Sequence, residues 1–191
     1  MNPKASFSDF LTQVYDLPTD SLSALVNLFE PLSLKKNDYY ARQGDHPKKI
    51  GFLSKGIVRI FFQNQDGEEF NKIFLQAPSL VAAYSSLISG NINQVNIQCL
   101  SDCSMIEANY SEVLALFDTH QGVESLNRKI IEQFFIETEK RQMSLIMLNA
   151  SERYDLFRKE FPEYENYIPQ YHIASYLGIT ATQLSRIRAK K

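Results

Sequence analysis

The 191-residue sequence has no long apolar run and no apolar stretch near its start. A membrane-spanning helix needs about 20 consecutive apolar residues. A secretory leader needs a shorter apolar stretch after a basic start. Because neither pattern is present, the sequence predicts a cytoplasmic protein with no membrane partner.

Cysteine and histidine are also scarce, with two and three residues. An iron–sulfur cluster usually takes four cysteines, so this cofactor is excluded. Along one extended strand, the spacing of Cys99 and Cys103 would hold the two sulfurs too far apart to bond, so buried free thiols are expected. His46, His120 and His172 are scattered along the chain. Each is expected at the surface and not at a metal or a haem.

Residues typical of a catalytic centre are missing as well. No Ser/His/Asp set, paired carboxylate cluster, phosphate loop or metal-ligand spacing stands out in the sequence. Glu68 and Glu69 are adjacent, but they follow an Asp-Gly turn and are expected to form a solvated hairpin tip. We therefore predict that the protein is not an enzyme and uses no cofactor.

The sequence does contain many short β-type segments between residues 32 and 107. Stretches rich in β-branched and aromatic residues alternate with turn signals, which is typical of a small barrel or sandwich. Asp66-Gly67 is a strong hairpin signal because both residues tolerate positive φ. The predicted strands are 32–35, 39–42, 50–54, 57–63, 69–75, 95–99 and 104–107.

A long helix is predicted from Gly122 to Leu148. This segment has no proline, and Leu126, Ile130 and Phe134 recur at intervals of four residues. At 1.5 Å per residue it extends about 40 Å, which is more than one small barrel can cover. A second copy of the helix is the simplest partner for its apolar stripe. The alternative is a helix packed wholly within its own chain.

The last segment, residues 168–191, has the spacing of a helix-turn-helix. Pro169 suits the first position of a helix, Gly178 can turn the chain, and Thr180 can cap the second helix. The charged residues of the segment are all basic, namely Arg186, Arg188, Lys190 and Lys191, whereas the whole chain has a formal net charge of −2. This asymmetry is typical of a nucleic-acid contact. The alternatives are an ordinary helical hairpin and a basic helix end favoured by the helix dipole.

In its order of parts the chain resembles the Crp/Fnr family of bacterial transcription regulators. The matching stretches are R-Q-G-D at 42–45, I-G-F-L-S-K-G-I-V-R-I-F at 50–61, D-G-E-E at 66–69 and I-A-S-Y-L-G-I-T-A-T-Q-L-S-R-I at 173–187. The resemblance implies an α+β fold in which N-terminal helices and a double-stranded β-helix (jelly-roll-like) barrel precede a long dimerisation helix and a helix-turn-helix. It implies a cyclic-nucleotide-binding-like sensor domain over 1–120, a dimerisation helix over 121–148 and a DNA-binding domain over 149–191.

The chain departs from this family at the effector pocket. In the members that bind cyclic nucleotides, a Gly-Glu pair takes the ribose and an Arg-Ser pair takes the phosphate. The matching positions fall near Ala82-Ala83 and Asn93-Gln94 here, so neither charge is present. Because a buried phosphate without a cation is costly, we expect no tight binding of cyclic AMP. The candidate pocket for an unknown small-molecule effector comprises Ala83, Tyr84, Ser85, Ser86, Asn93 and Gln94.

The resemblance also implies a homodimer that reads a palindromic site in double-stranded DNA, with RNA polymerase as a further partner. Gln183 would suit adenine and Arg186 would suit guanine in the major groove. The candidate DNA-binding residues are Thr180, Ala181, Thr182, Gln183, Ser185, Arg186, Arg188 and Lys190. The sequence stops at Lys191 without the β-hairpin wing that usually follows in the family. The alternative function is therefore a ligand-binding or protein-interaction module with a degenerate helix-turn-helix.

Overall fold

A computed structural model describes residues 2–162 and 165–190 of the chain. The first four helices are α1 (Pro3–Val14) and α2 (Thr19–Asn27) before the strands, α3 (Tyr84–Ser89) among them and α4 (Tyr110–Ala115) after them. The later helices are α5 (Gln121–Met147), α6 (Ala150–Glu160), α7 (Gln170–Leu177) and α8 (Ala181–Ala189). The strands are β1 (Glu30–Leu34), β2 (Tyr39–Ala41), β3 (Lys49–Lys55), β4 (Ile57–Gln63), β5 (Glu69–Gln76), β6 (Ser79–Val81), β7 (Asn96–Cys99) and β8 (Cys103–Asn109).

The eight strands form two antiparallel sheets of four strands each. One sheet has the order β1-β8-β3-β6 and the other has the order β2-β7-β4-β5. Val58 and Ile60 of β4 point into the space between the sheets, where they share a buried cluster with Leu53 and Met105 of the other sheet. This architecture confirms the predicted barrel or sandwich and the α+β fold class.

Seven of the strands agree with the predicted ones to within two residues at each end. The eighth, β6, was not predicted. It is three residues long and pairs with β3 through Gly51 and Val81. A strand this short directly after Pro78 has too few residues to show a period of two.

Strands β4 and β5 form the predicted hairpin, which pairs from Ile57 opposite Gln76 to Gln63 opposite Glu69. Gly67 lies in its turn with φ of 83°, the left-handed region that glycine adopts without a steric penalty. The pairing register shifts by one residue between Ile60 and Phe61, so the ribbon contains a bulge.

Helix α5 agrees with the predicted long helix to within one residue at each end. Its first half is packed within the chain, because Val123 and Leu126 are buried in the same cluster as Phe7 and Leu11 of α1. Its second half is covered only in part, because Arg141 contacts Tyr176 of α7 and Ser144 is buried, while many apolar side chains are left exposed. The exposed large apolar residues of α5 are Phe134, Phe135, Ile136, Met143, Leu145, Ile146 and Met147. The alternative of a helix packed wholly inside its own chain is therefore wrong for this half.

Two expectations about single residues need correction. Cys99 ends β7 and Cys103 begins β8, so a turn separates them and they do not share a strand. Their side chains interact, and this contact, together with burial, raises the pKa of the Cys99 thiol. The expectation that the two cysteines share one strand is thus wrong, whereas both are free and buried as predicted. Pro169 is the N-cap residue of α7 and not its first residue.

Candidate nucleic-acid interface and sensor cavity

The C-terminal head, defined here as α6, α7 and α8, contains the two helices and the tight turn that were predicted. Gly178 follows α7 in the left-handed conformation with φ of 68°. The Oγ of Thr180 accepts a hydrogen bond from the Gln183 backbone at 3.1 Å, and the Gln183 side chain accepts one from the Thr180 backbone at 2.9 Å. This reciprocal capping box fixes the start of α8. Leu184 then anchors the helix in the core of the head.

The candidate DNA-binding residues lie along α8 and its two caps, but they are not equally free. Thr180 and Gln183 are engaged in the capping box. Arg188 is half-buried and forms an ion pair with Glu165 at 3.4 Å. The candidates with exposed side chains are Thr180, Ala181, Thr182, Gln183, Ser185, Arg186 and Lys190. Arg186 is therefore the exposed cation nearest the middle of the helix.

The head is docked on the sheet that contains β4 and β5. Phe74 of β5 lies with its ring centroid 5.1 Å from Tyr176 of α7 and 6.1 Å from Phe157 of α6. Both partners are buried. Direct packing of this kind links the head to the barrel through side chains, in addition to the covalent link through α5.

A buried polar cluster lies beside these rings. The Arg59 guanidinium, on β4, is only 3% exposed. It donates hydrogen bonds to Gln98 at 2.9 Å and 2.6 Å, and it forms an ion pair with Glu69. It also lies 2.9 Å from Nδ1 of His172 in α7. Because a guanidinium can only donate, Nδ1 of His172 accepts, and the neutral ring holds its proton on Nε2.

His172 is thus a buried contact residue, and the expectation that it lies at the surface is wrong. Burial and the nearby Arg59 charge lower the pKa of His172 to about 4, although Glu69 acts in the opposite direction. Sequence reasoning missed this role because its partners are 101 and 113 residues away along the chain. A buried histidine next to a cation remains neutral at physiological pH.

Helix α7 also covers β5, the edge strand of the sheet on which the head is docked. The Ser175 hydroxyl accepts a hydrogen bond from the Asn71 backbone at 2.9 Å and donates one to the Glu69 carbonyl at 3.1 Å. Both bonds go to β5, at the end of the strand order. One serine therefore satisfies a donor and an acceptor that a further strand would otherwise pair.

The six candidate pocket residues do not surround one space. Tyr84 lines an apolar cavity, whereas Ala83 and Asn93 line a separate cleft of about 260 Å³ next to Tyr40 and Glu107. Ser85 and Gln94 are exposed. The Ser86 hydroxyl donates to the Ile92 carbonyl at 3.4 Å.

Asn93, which we predicted to lie at the position of the family's arginine, has a structural role. Asn93 is 1% exposed, and its amide donates to the carbonyls of Arg42 at 2.8 Å and Val95 at 2.7 Å. It therefore holds two loop segments together and has no charge to offer a phosphate.

The apolar cavity has a volume of about 110 Å³ and lies between the barrel, the N-terminal helices and α5. Ile60 of β4 and Leu75 of β5 form its barrel side, and Ile131 and Phe134 form its α5 side. Sequence reasoning did not assign these residues to a pocket. The available signal was the alternation along β4, which places Ile60 inside the barrel and Arg59 outside it.

Some kinds of site do not occur among the residues described. Across residues 2–162 and 165–190, no helix combines the length and the apolar character that crossing a membrane requires. Nor do these ranges contain three or more His, Cys, Asp or Glu side chains grouped so that they could hold a metal ion.

Comparison with known proteins agrees with this architecture. Residues 31–120 match the family model of the cyclic nucleotide-binding domain. A relative is an isozyme 2 form of the cGMP-dependent protein kinase of Drosophila melanogaster, which is 28% identical over 146 residues. The match covers 69% of this chain but only 15% of that kinase.

The solved structures that share the fold over most of the chain include the following two. One is the c-di-GMP-responsive global regulator CLP of Xanthomonas campestris, at 14% identity and a TM-score of 0.71, with 91% of each chain covered. The other is assigned as a transcriptional regulator of the Crp/Fnr family from Eubacterium rectale, at 16% identity and a TM-score of 0.72, with 92% of this chain and 83% of the other covered. Residues 31–120 are thus similar to the cyclic nucleotide-binding domain, and the chain shares the fold of these solved transcription regulators.

Proposed function

We propose that the protein is a homodimeric transcription regulator of the Crp/Fnr type that reads a palindromic site in double-stranded DNA through α8. The observation that carries this proposal is the outer face of α8, where Thr182, Ser185 and Arg186 are exposed while Leu184 anchors the helix. The hydrogen bonds and ion pairs found among the described residues do not include the Arg186 side chain. Its guanidinium is available for a guanine or a phosphate.

Dimerisation would place two such helices about one turn of DNA apart. The exposed apolar residues in the second half of α5 supply the surface for it. Ile146 and Met147 are 77% and 70% exposed, and Phe135 is 65% exposed. Exposed apolar residues concentrated on one helix are typical of a protein–protein contact. A second α5 related by a two-fold axis would cover them.

The test begins with selection of bound duplexes from genomic fragments at low salt, followed by a mobility-shift measurement on the selected site. We expect affinity to fall steeply as salt rises, because phosphate contacts release counterions. Arg186→Ala should abolish selective binding without changing the oligomeric state. Lys36→Ala removes the same charge from an exposed barrel turn and is the matched control. Equal binding by Arg186→Ala and the wild type would refute the role of Arg186.

A second candidate function is a ligand-binding or protein-interaction module whose head no longer reads DNA. The engagement of Thr180 and Gln183 in the cap and of Arg188 with Glu165 favours it, because these contacts leave fewer side chains free to read bases. An empty fragment selection at low salt, obtained with a folded dimeric protein, would favour this module over the regulator.

A further inference from the structure

The cavity beneath α5 is apolar on almost every side. Apart from the side chains of Asn127 and Tyr84, the residues that line it are aliphatic or phenylalanine. The Tyr84 hydroxyl is 3.2 Å from the hydroxyl of Tyr110 and already has a hydrogen-bonding partner. Asn127 of α5 is half-buried, and no hydrogen bond among the described residues involves its amide. The cavity therefore offers one polar group and no cation.

The size of the cavity limits its occupant. Its volume of about 110 Å³ is somewhat smaller than the roughly 150 Å³ of an apolar protein cavity that stays dry and admits benzene. A molecule the size of one ring is therefore near the upper limit for this cavity. A charged group would lose its hydration without gaining a partner, because neither Asn127 nor Tyr84 carries a charge.

We infer that this cavity binds a small, uncharged, largely apolar molecule of about one ring, with at most one hydrogen-bonding group directed at Asn127. The inference deepens the proposed function, because it names the chemical class of the effector of the proposed regulator. A cavity of this kind does not suit the charged phosphate of a cyclic nucleotide. The position of the family's arginine is occupied by Asn93, which lines a different cleft and is bonded to two backbone carbonyls.

The cavity is connected to the head by one β-ribbon. Ile60 and Leu75 line the cavity, and their chain neighbours Arg59 and Phe74 contact the head. Side chains of adjacent strand residues point to opposite faces. Arg59 and Phe74 are opposite each other in the pairing of β4 with β5. A molecule that displaces the inner face of this ribbon therefore also displaces the outer face on which the head is docked.

The experiment uses the full chain and four probes, namely benzene, phenol, benzoate and 3′,5′-cyclic AMP. Binding is followed by the ¹³C methyl resonances of Ile60 and Leu75 and by calorimetry. Benzene and phenol should cause saturable shifts, whereas benzoate and cyclic AMP should cause none at the same concentrations. Asn127→Leu should weaken phenol binding and leave benzene binding unchanged.

A cavity-filling pair of variants tests the location. Ala82 lines the cavity, so Ala82→Phe should weaken benzene binding at least tenfold. Ala82→Leu, a smaller change, is used if the phenylalanine variant does not fold. Ala115→Phe makes the same change at an exposed position and is the control.

The inference would be overturned by no saturable shift with benzene or phenol, by unchanged benzene binding in the filled variants, or by tight binding of cyclic AMP. Loss of benzene binding as the protein dimerises at high concentration would also overturn it, since a second copy would then occupy the cavity. DNA binding by the wild type is measured separately without any probe. A chain that binds DNA but none of the apolar probes refutes only this inference and leaves the proposed function intact.

Discussion

The Arg59 guanidinium of β4 lies 2.9 Å from Nδ1 of His172 in α7, so the barrel and the head meet through a buried cation and a neutral imidazole. A protonated His172 could not accept this hydrogen bond and would place a second positive charge beside Arg59. Glu69 balances only one of the two charges. The docking of the head is therefore coupled to the protonation state of one side chain.

This coupling predicts a pH-dependent stability. The pKa of His172 is lowered to about 4, so between about pH 6.5 and pH 4 the unfolded chain binds a proton that the folded chain does not. Stability from this residue is fully present above about pH 6.5 and is lost as the pH falls to about 4. The loss is at most about 3 kcal/mol in the free energy of unfolding, measured by urea titration across this range.

The test variant is His172→Gln, and His46→Gln is its control. His46 is exposed, so its replacement should leave the pH profile of the wild type unchanged. His172→Gln should flatten the profile between pH 6.5 and pH 4. If the His172→Gln profile were as steep as that of the wild type, other groups would account for the pH dependence.

Two glycine substitutions separate backbone strain from close packing. Gly56 and Gly67 both have positive φ, of 106° and 83°. A Cβ at Gly67 would meet nothing within 4 Å, whereas a Cβ at Gly56 would lie 2.8 Å from both the Asp102 carbonyl oxygen and the Cys103 sulfur. We expect Gly67→Ala to lower the free energy of unfolding by about 1 kcal/mol through backbone strain alone.

Gly56→Ala should lower the free energy of unfolding by about 1–3 kcal/mol more than Gly67→Ala does, because the sheets cannot move apart there without repacking. Denaturant unfolding of the two variants measures the difference. Equal losses in the two variants would show that the turn at Gly56 relaxes easily and that the contact with Asp102 does not restrict it.

The apolar second half of α5 predicts a dimer that one charge can disrupt. Ile146→Glu should raise the dissociation constant of the dimer at least tenfold, because the interface would bury a carboxylate without a partner. Analytical ultracentrifugation over a concentration series measures the change. Gln133→Glu adds the same charge at another exposed position of α5 and should have a smaller effect. A wild type that stays monomeric at every concentration would contradict the prediction.

Much of the fold was predictable because its signals are local. The hairpin at Asp66-Gly67, the long helix and the cap at Thr180 each depend on residues within a few positions of one another. The cluster of Arg59 and His172 was not predictable, because two segments far apart in the chain form it. Cys99 and Cys103 show a related limit. We assumed that the two residues lie on one strand, but the chain turns between them and passes from one sheet to the other.

The site shows the same division. The sequence shows Ala83 and Asn93 where the resemblance implies charged residues, and this remains a prediction about the effector pocket. However, the structure distributes the six predicted residues between a cleft, a cavity and the surface. Side chains such as Leu75 and Phe134 meet only after β5 and α5 have packed together, so spacing along the chain could not identify them.

The β4–β5 ribbon has a consequence for how this protein could be altered. Ile60 and Arg59 share a peptide unit, as do Leu75 and Phe74, and each pair has one member in the cavity and one against the head. A substitution that reshapes the cavity therefore acts on the same backbone that supports the head. In the proposed regulator, ligand preference and the docking of the head would therefore change together at these four positions. An engineer who needs independent control would have to change the α5 side of the cavity, for example Ile131.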